Sequence, residues 1–157
     1  MSQIRESTLT ISHLGGCQCG KVRYEISCDP IVVYACHCSE CQRQSGSAFA
    51  MAAVFPRGHF RLTQGHLKNF SRTAESGRTL TCWFCGDCGT RIFHSPGNID
   101  GNCNLKPGTL DNTSWLHPTV HVWTRSAQPW VIIPEDATKF KTQPADRSWL
   151  LPSAPKT

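Results

Sequence analysis

Eight of the ten cysteines in this chain of 157 residues fall into three short windows. The windows are Cys17–Cys19, Cys36–Cys41 and Cys82–Cys88. Thiols seldom crowd together in this way unless a thiophilic metal ion, most often zinc, gathers them from distant parts of the chain. The fold is therefore expected to bring loops that are far apart in the sequence around shared metal ions.

Disulfide bonds are the competing use of so many thiols. Residues Met1–Gly16 contain no apolar core of a secretory signal and no stretch long enough to span a membrane, so we expect a cytoplasmic protein. The reducing cytosol favours metal binding, and a disulfide within Cys17–Cys19 or between Cys36 and Cys38 would be strained. We therefore interpret the windows as zinc sites.

The length and the charge of the chain argue against several classes of protein. A chain of 157 residues suits one domain with its own core. The formal net charge is +5, but the Lys and Arg residues are spread along the chain and form no basic stripe. The sequence also lacks a recognisable nucleic-acid recognition helix. We therefore expect neither a nucleic-acid partner nor a membrane partner.

Short strands dominate the predicted secondary structure. Val22, Tyr24 and Ile26 alternate with charged residues, as in a strand with one buried face. Further strands are predicted between turns that contain Gly, Pro or Ser. The predicted strands are Lys21–Ile26, Ile31–Ala35, Ala48–Phe55, His59–Thr63, Lys68–Arg72, Thr79–Phe84, Arg91–His94, Gly101–Leu105 and Val120–Trp123. We expect an antiparallel, all-β domain completed by metal sites.

One short helix is predicted inside the second cysteine window. Ser39 and Gln42 match a capping box, and Gly46 supplies a stop, so the helix is expected to last little more than one turn. Cys41 would then lie in the first helical turn, where backbone N–H groups and the helix dipole favour a thiolate.

Three sulfurs can converge at this helix. Side chains alternate along an extended chain, so Cys36 and Cys38 share one face of the strand that precedes the helix and His37 lies on the other. Cys41 reaches the same place from the helix. His37 is therefore expected to form a structural hydrogen bond, although metal ligation by this residue stays open.

The other two windows predict a closed site of four cysteines. Cys85 and Cys88 flank a tight, glycine-containing turn that is typical of a zinc knuckle. One knuckle supplies two ligands, and Cys17 and Cys19 are the natural source of the other two. Such a site contributes directly to folding and leaves no vacant coordination position for chemistry.

This assignment leaves Cys36, Cys38 and Cys41 for a second metal ion. Three protein ligands with an open fourth position are what a catalytic zinc requires. Cys82 or a histidine would close the site instead and make it a second structural zinc. We interpret Cys82 as a buried thiol, because free cysteine is among the most buried residue types.

The ligand type narrows the chemistry of the second site. Three thiolates on one zinc ion carry a net charge of −1, which weakens the metal ion as a Lewis acid. Soft sulfur ligation suits an incoming thiol, which loses its proton on coordination. We therefore expect a small thiol substrate. Redox iron is disfavoured, since rubredoxin-like sites pair two CxxC knuckles and this chain pairs one knuckle with CxC.

The motifs also carry a family resemblance. Gly15–Gly20, Cys36–Gly46 and Phe84–Gly89 resemble the glutathione-dependent formaldehyde-activating enzyme family, which includes centromere protein V. Gly108–Asp111 and the segment from His121 to Trp130 resemble the C-terminal signature of that family. The resemblance implies a β-tent fold of antiparallel sheets with one structural and one catalytic zinc. It assigns the structural zinc to the four-cysteine set and the catalytic zinc to the three-cysteine set.

The resemblance further implies an activity and partners. Family members add glutathione to formaldehyde and give S-hydroxymethylglutathione, a carbon–sulfur lyase reaction run in reverse. We therefore expect a glutathione-like thiol as substrate, with a homo-oligomer left open. The alternative is a non-catalytic zinc-binding module of the centromere protein V type. The implied organisation is an extension over residues 1–14, the zinc-binding domain over 15–136 and a tail over 137–157.

Several further residues are candidates for substrate binding or for support of the three-cysteine site. Arg43 follows the predicted metal helix and could bind a glutathione carboxylate. His94, His121 and Asp111 are candidate acid, base or outer-sphere groups. Trp123 and Trp130 are expected in the core or in a pocket wall, because large aromatic side chains usually contribute through burial.

Overall fold

The computed structural model describes residues 11–75, 77–96 and 101–150. Strands and one short α-helix make up the regular structure of these residues, together with a few single turns of 3-10 helix. In chain order they are β1 (His13–Gly16), β2 (Arg23–Ile26), β3 (Val32–Cys36), α1 (Ser39–Ser45), β4 (Ala50–Pro56), β5 (Phe60–Gln64), β6 (Leu67–Thr73), β7 (Thr79–Cys85), β8 (Arg91–Pro96), β9 (Asn102–Leu105), β10 (Val120–Val122) and β11 (Thr138–Lys139).

The strands form two sheets. The small sheet has the order β1-β2-β5, and the large sheet has the order β11-β10-β3-β4-β9-β8-β7-β6. This mainly β architecture with one helix confirms the predicted fold class. All nine predicted strands are present, and no bound differs from its predicted position by more than two residues.

The expectation of purely antiparallel pairing is wrong at one edge of the large sheet. β10 runs parallel to both β3 and β11, with His121 opposite Ala35 and Lys139. A parallel pair needs a long crossover connection instead of a tight turn. Residues 123–137 connect β10 to β11, and residues 106–119 carry the chain from β9 past β4 and β3 to β10.

Two strands were not predicted. β11 has only two residues and exists through its pairing with β10. β1 has the sequence His-Leu-Gly-Gly, which carries little strand signal. Gly15 is required there because a Cβ atom at this position would lie 2.3 Å from the Tyr24 hydroxyl and 2.6 Å from the Thr109 carbonyl oxygen. The close approach of Tyr24 therefore explains a glycine that looks like a strand breaker.

The main core lies between the two sheets. The predicted alternation in β2 is confirmed, since Tyr24 and Ile26 are both buried. Phe60 of β5 stacks on Tyr24 and also contacts Phe93 of β8, with ring centroids 5.2 and 4.9 Å apart. Burying such rings contributes about 2 to 3 kcal/mol each. The small sheet therefore covers one face of the large sheet and leaves the opposite face for other contacts.

The helix begins one residue earlier than the capping box implied. Cys38 is the N-cap, and its sulfur accepts a hydrogen bond from the Cys41 backbone N–H. Ser39 is the first residue of α1, which has seven residues instead of little more than one turn. Gln42 does not reach back to the N-cap either, because its side-chain amide donates to the backbone carbonyl oxygens of His37 and Ser126. The predicted stop is confirmed, since Gly46 adopts the left-handed conformation.

The segment after Asp136 lies against the large sheet. Trp149 packs edge-on against Tyr34 of β3, with ring centroids 5.4 Å apart, and it also stacks near Phe140. Within the described ranges, no helix is long and apolar enough to cross a membrane.

Candidate metal centres

Four cysteines from two distant loops meet beside the small sheet. Cys17 and Cys19 follow β1, Cys85 ends β7, and Cys88 lies in the next turn. Their four sulfur atoms all lie within 4.8 Å of one another. The Cys17 and Cys19 sulfurs are 3.5 Å apart, and the Cys19 and Cys85 sulfurs are 3.8 Å apart.

Thr90 ties the two loops of this site together. Its hydroxyl accepts a hydrogen bond from the Gln18 backbone N–H at 3.2 Å and lies 3.2 Å from the Cys88 sulfur. Hydrogen bonding by Thr90 lowers the pKa of the Cys88 thiol to about 5. Glycines end both loops with positive φ angles, +78° at Gly20 and +74° at Gly89. Left-handed residues of this kind let the chain turn tightly around the sulfurs.

The donor set of the four-cysteine site fits zinc. Four converging thiols match the tetrahedral, all-sulfur sites that hold structural zinc, and no fifth group is needed to complete them. The Val22 backbone N–H donates to the Cys17 sulfur at 3.2 Å, which favours its thiolate form. The sequence-based pairing of the knuckle with Cys17 and Cys19 therefore agrees with the geometry.

Three further cysteines meet at the start of α1. Cys36 ends β3, Cys38 caps the helix, and Cys41 lies in its first turn. Their sulfur atoms lie within 4.8 Å of one another. Hydrogen bonds with Cys36 and Cys41 lower the pKa of the Cys38 thiol, and hydrogen bonds with Cys38 and Cys41 raise the pKa of the Cys36 thiol. The three sulfurs thus form one set of ligands that also fits zinc.

No fourth ligand joins these three cysteines among the residues that the structure describes. His37 is fully buried and points elsewhere, with its Nε2 atom 2.9 Å from Nδ1 of His121. The predicted structural hydrogen bond of His37 is therefore present. Cys82 is also buried, as predicted, and its sulfur accepts a hydrogen bond from the Gln44 side-chain amide at 3.6 Å.

The three-cysteine site opens onto a cavity of about 530 Å³. The floor of the cavity is the face of the large sheet that the small sheet leaves uncovered. Cys82, His94 and Asn104 lie opposite one another on β7, β8 and β9, so their side chains share this face. The walls come from α1 and from the C-terminal segment that contains Trp149.

The cavity is lined by four cationic side chains and two carboxylates. The cations are Arg72, Arg78, Lys106 and Arg147, and the carboxylates are Glu40 and Glu75. Glu75 also pairs with Arg125 at 3.5 Å. Sequence reasoning missed all four cations, because they come from three distant segments and no short motif joins them.

Arg43 does not line this cavity. Its side chain is exposed on α1, two residues beyond Cys41. Carboxylate binding by Arg43 stays a prediction, but the geometry offers other arginines for that role.

The other residues predicted to support the site lie partly at the cavity and partly away from it. His94 and Trp123 line the cavity, whereas Trp130 is 70% exposed, so its predicted burial is wrong. Asp111 forms a bidentate ion pair with Arg23 beside β1 and does not line the cavity. Burial, reinforced by Lys106 and nearby arginines, holds the pKa of His94 well below its usual value.

Known proteins share this fold. A crystal structure of a Rhodobacter sphaeroides protein superposes with a TM-score of 0.52 at 22% sequence identity. The superposition covers 65% of this chain and 91% of that protein. At this level of identity the likeness shows a common fold.

Sequence comparison identifies the family. A Penicillium rubens protein, provisionally named glutathione-dependent formaldehyde-activating enzyme, is 32% identical over 79 residues. That match covers 49% of this chain but only 40% of the fungal protein. The sequence pattern of the glutathione-dependent formaldehyde-activating enzyme family matches residues 12–126, a range that includes both cysteine sites. The chain therefore belongs to the glutathione-dependent formaldehyde-activating enzyme family.

Proposed function

We propose that this protein is a zinc-dependent carbon–sulfur lyase or synthase that acts on the thiol adduct of a small aldehyde, with glutathione and formaldehyde as the reference pair. The observation that carries this proposal is the convergence of Cys36, Cys38 and Cys41, without a fourth protein ligand among the described residues, at the wall of a cavity. A site of this kind has room for the sulfur of a substrate.

The two cysteine sites have different roles in this proposal. The set containing Cys17 and Cys88 is closed by its own four sulfurs and stabilises the junction of two loops. The set containing Cys38 supplies the chemistry. When bound there, zinc would hold the substrate sulfur and lower the pKa of its thiol.

Hydrogen bonds at the start of α1 favour negative charge on the sulfurs of the three-cysteine site and hold the helix in place. The Cys41 backbone N–H lies at the start of α1 and donates to the Cys38 sulfur at 3.4 Å. Backbone N–H groups at a helix start stabilise thiolates. Gln42 fixes the helix from the other side through two carbonyl oxygens, so the ligand loop cannot turn freely.

The lining of the cavity suits a thiol that carries carboxylates. Arg72, Arg78 and Arg147 line the cavity, and none of them forms an ion pair with a carboxylate among the described residues. Arginine binds carboxylates through two parallel hydrogen bonds, which gives both affinity and orientation. Glutathione has two carboxylates and is therefore a fitting substrate class.

NMR exchange spectroscopy tests the reaction directly. The zinc-loaded protein is mixed with glutathione and formaldehyde, and the exchange rate between hydrated formaldehyde and S-hydroxymethylglutathione is measured against a protein-free sample. We expect clear acceleration that is lost in Cys38→Ser. A rate equal to the protein-free rate would overturn the enzymatic proposal and favour a non-catalytic module of the centromere protein V type.

A further inference from the structure

Lys106 is a cation at the floor of the cavity, and the proposed function gives it no role. It follows β9 directly and lies two residues beyond Asn104, so both side chains point to the cavity face of the large sheet. Its backbone is fixed on both sides, because its N–H donates to the Ile92 carbonyl oxygen at 2.7 Å and its own carbonyl oxygen accepts from the Thr109 hydroxyl at 2.7 Å.

The surroundings of the Lys106 ammonium contain thiols instead of carboxylates. None of the ion pairs formed by the described residues includes Lys106. Burial lowers the pKa of this ammonium, and the Cys41 and Cys82 thiols act in the opposite direction. Lys106 is partly buried, and a charge that has lost part of its hydration is costly unless an anion lies close to it. The position therefore calls for an anionic partner on the cavity side.

Apart from the sulfurs of the three-cysteine site, neighbouring side chains do not supply that partner. His94 lies beside Lys106 and is neutral, since burial and the Lys106 charge both lower its pKa. Asn104 is occupied at its side-chain oxygen by the Tyr34 hydroxyl at 3.5 Å. Glu40 and Glu75, the two carboxylates of the cavity, are both exposed. A bound substrate can provide the missing negative charge.

We propose that the Lys106 ammonium binds the oxygen of the carbonyl substrate and stabilises the negative charge that develops on it during attack by the substrate sulfur. This inference rests on the proposed function. Lys106 and the three-cysteine site line one cavity, so a carbonyl carbon between them has a sulfur on one side and a cation on the other. Charge placed where an oxyanion develops is among the largest contributions to catalysis.

The step balances without another reactant. The thiol gives up its proton when its sulfur binds, and the sulfur then attacks the carbonyl carbon. A C–S bond forms, and the π pair of the C=O bond moves to the oxygen beside Lys106. The alkoxide takes up one proton, equal to the one that the thiol released, so thiol and aldehyde become a hemithioacetal with no net change in protons or electrons.

Formate binding tests Lys106 separately from turnover. Formate resembles a small carbonyl compound with charge on oxygen, and the open position of a sulfur-rich metal site favours sulfur over carboxylate oxygen. Its dissociation constant for the full-length, zinc-loaded protein is measured by NMR titration. We expect Lys106→Met to weaken formate binding at least tenfold, Lys106→Arg to stay within threefold of the parent, and the exposed control Lys141→Met to match the parent.

Exchange kinetics supply the second readout. Lys106→Met is expected to lower the maximal exchange rate per zinc-loaded site about a hundredfold. In the cobalt-substituted protein, the same substitution should change the affinity for glutathione less than threefold. Unchanged formate affinity in Lys106→Met, or a loss of rate fully explained by loss of zinc, would overturn the inference. If the parent protein accelerates no exchange, the proposed function fails, and the formate comparison alone decides whether Lys106 is an anion-binding residue.

Discussion

The Nε2 atom of His37 lies 2.9 Å from the Nδ1 atom of His121, and both side chains are buried. The pair joins the loop that carries Cys36 and Cys38 to β10, and the His37 backbone N–H donates to the Val122 carbonyl oxygen at 3.0 Å. His121 thus holds the segment of Cys36 and Cys38 in place without belonging to either cysteine cluster.

Replacing His121 should destabilise the fold and loosen the three-cysteine site. His37 already has an unpartnered Nδ1 atom, and His121→Phe would leave its Nε2 atom unpaired as well. A buried polar group without a partner costs about 1 to 3 kcal/mol. Urea unfolding of the zinc-loaded protein measures the loss, with the exposed His117→Phe as the control. Equal stability of the two variants would contradict the structural role of His121.

Stability should fall in mild acid. Burial lowers the pKa of both His37 and His121, so the folded protein binds fewer protons than the unfolded chain as the pH drops. The free energy of unfolding therefore decreases below about pH 6.5, the ordinary histidine pKa. Unfolding between pH 5 and 8 should show a smaller slope for His121→Phe than for the parent. The same slope in both proteins would count against this origin of the acid sensitivity.

The two cysteine sites should respond unequally to substitution. Cys88→Ser removes a ligand from a closed site whose metal binding contributes about 10 to 16 kcal/mol in zinc-finger peptides, so the domain should unfold or lose more than about 10 °C in Tm. Cys38→Ser should lose the second zinc and the activity but keep most of the fold. Metal analysis and thermal unfolding measure both effects. Equal destabilisation would remove the division into structural and catalytic sites.

Two arginine hypotheses predict different effects on glutathione affinity. Arg147 lines the cavity, whereas Arg43 lies outside it, so Arg147→Gln should weaken glutathione binding about tenfold and Arg43→Gln much less. Calorimetric titration of the zinc-loaded variants measures the difference. Cysteamine, a thiol without a carboxylate, serves as the control ligand and should bind both variants equally. A larger effect of Arg43→Gln would restore the sequence-based assignment.

The cysteine clusters could be predicted because cysteines that converge on one site are often closely spaced in the sequence. Cys85 and Cys88 are held by one turn, and Cys36, Cys38 and Cys41 by one strand end and one helix start. The strands could be predicted for a similar reason, since alternation in β2 follows directly from one buried face. Spacing and alternation are properties of short segments.

The cavity could not be predicted because its chemistry is long-range. Arg72 lies on β6, Lys106 follows β9, and Arg147 belongs to the C-terminal segment. Only the order of the strands in the large sheet brings them together. The N-cap was misplaced for a different reason, because the Cys38 sulfur takes the role that sequence rules give to the Ser39 hydroxyl.

Cobalt substitution tests the central claim that the Cys36, Cys38 and Cys41 site binds the sulfur of its substrate. The cobalt-loaded protein is titrated with glutathione while the sulfur-to-metal charge-transfer band is recorded, and S-methylglutathione, which has the same carboxylates but no thiol, serves as the matched control. We predict a saturable new band with glutathione, no band with S-methylglutathione, and loss of the response in Cys38→Ser. A cobalt spectrum that does not change with glutathione would contradict the account.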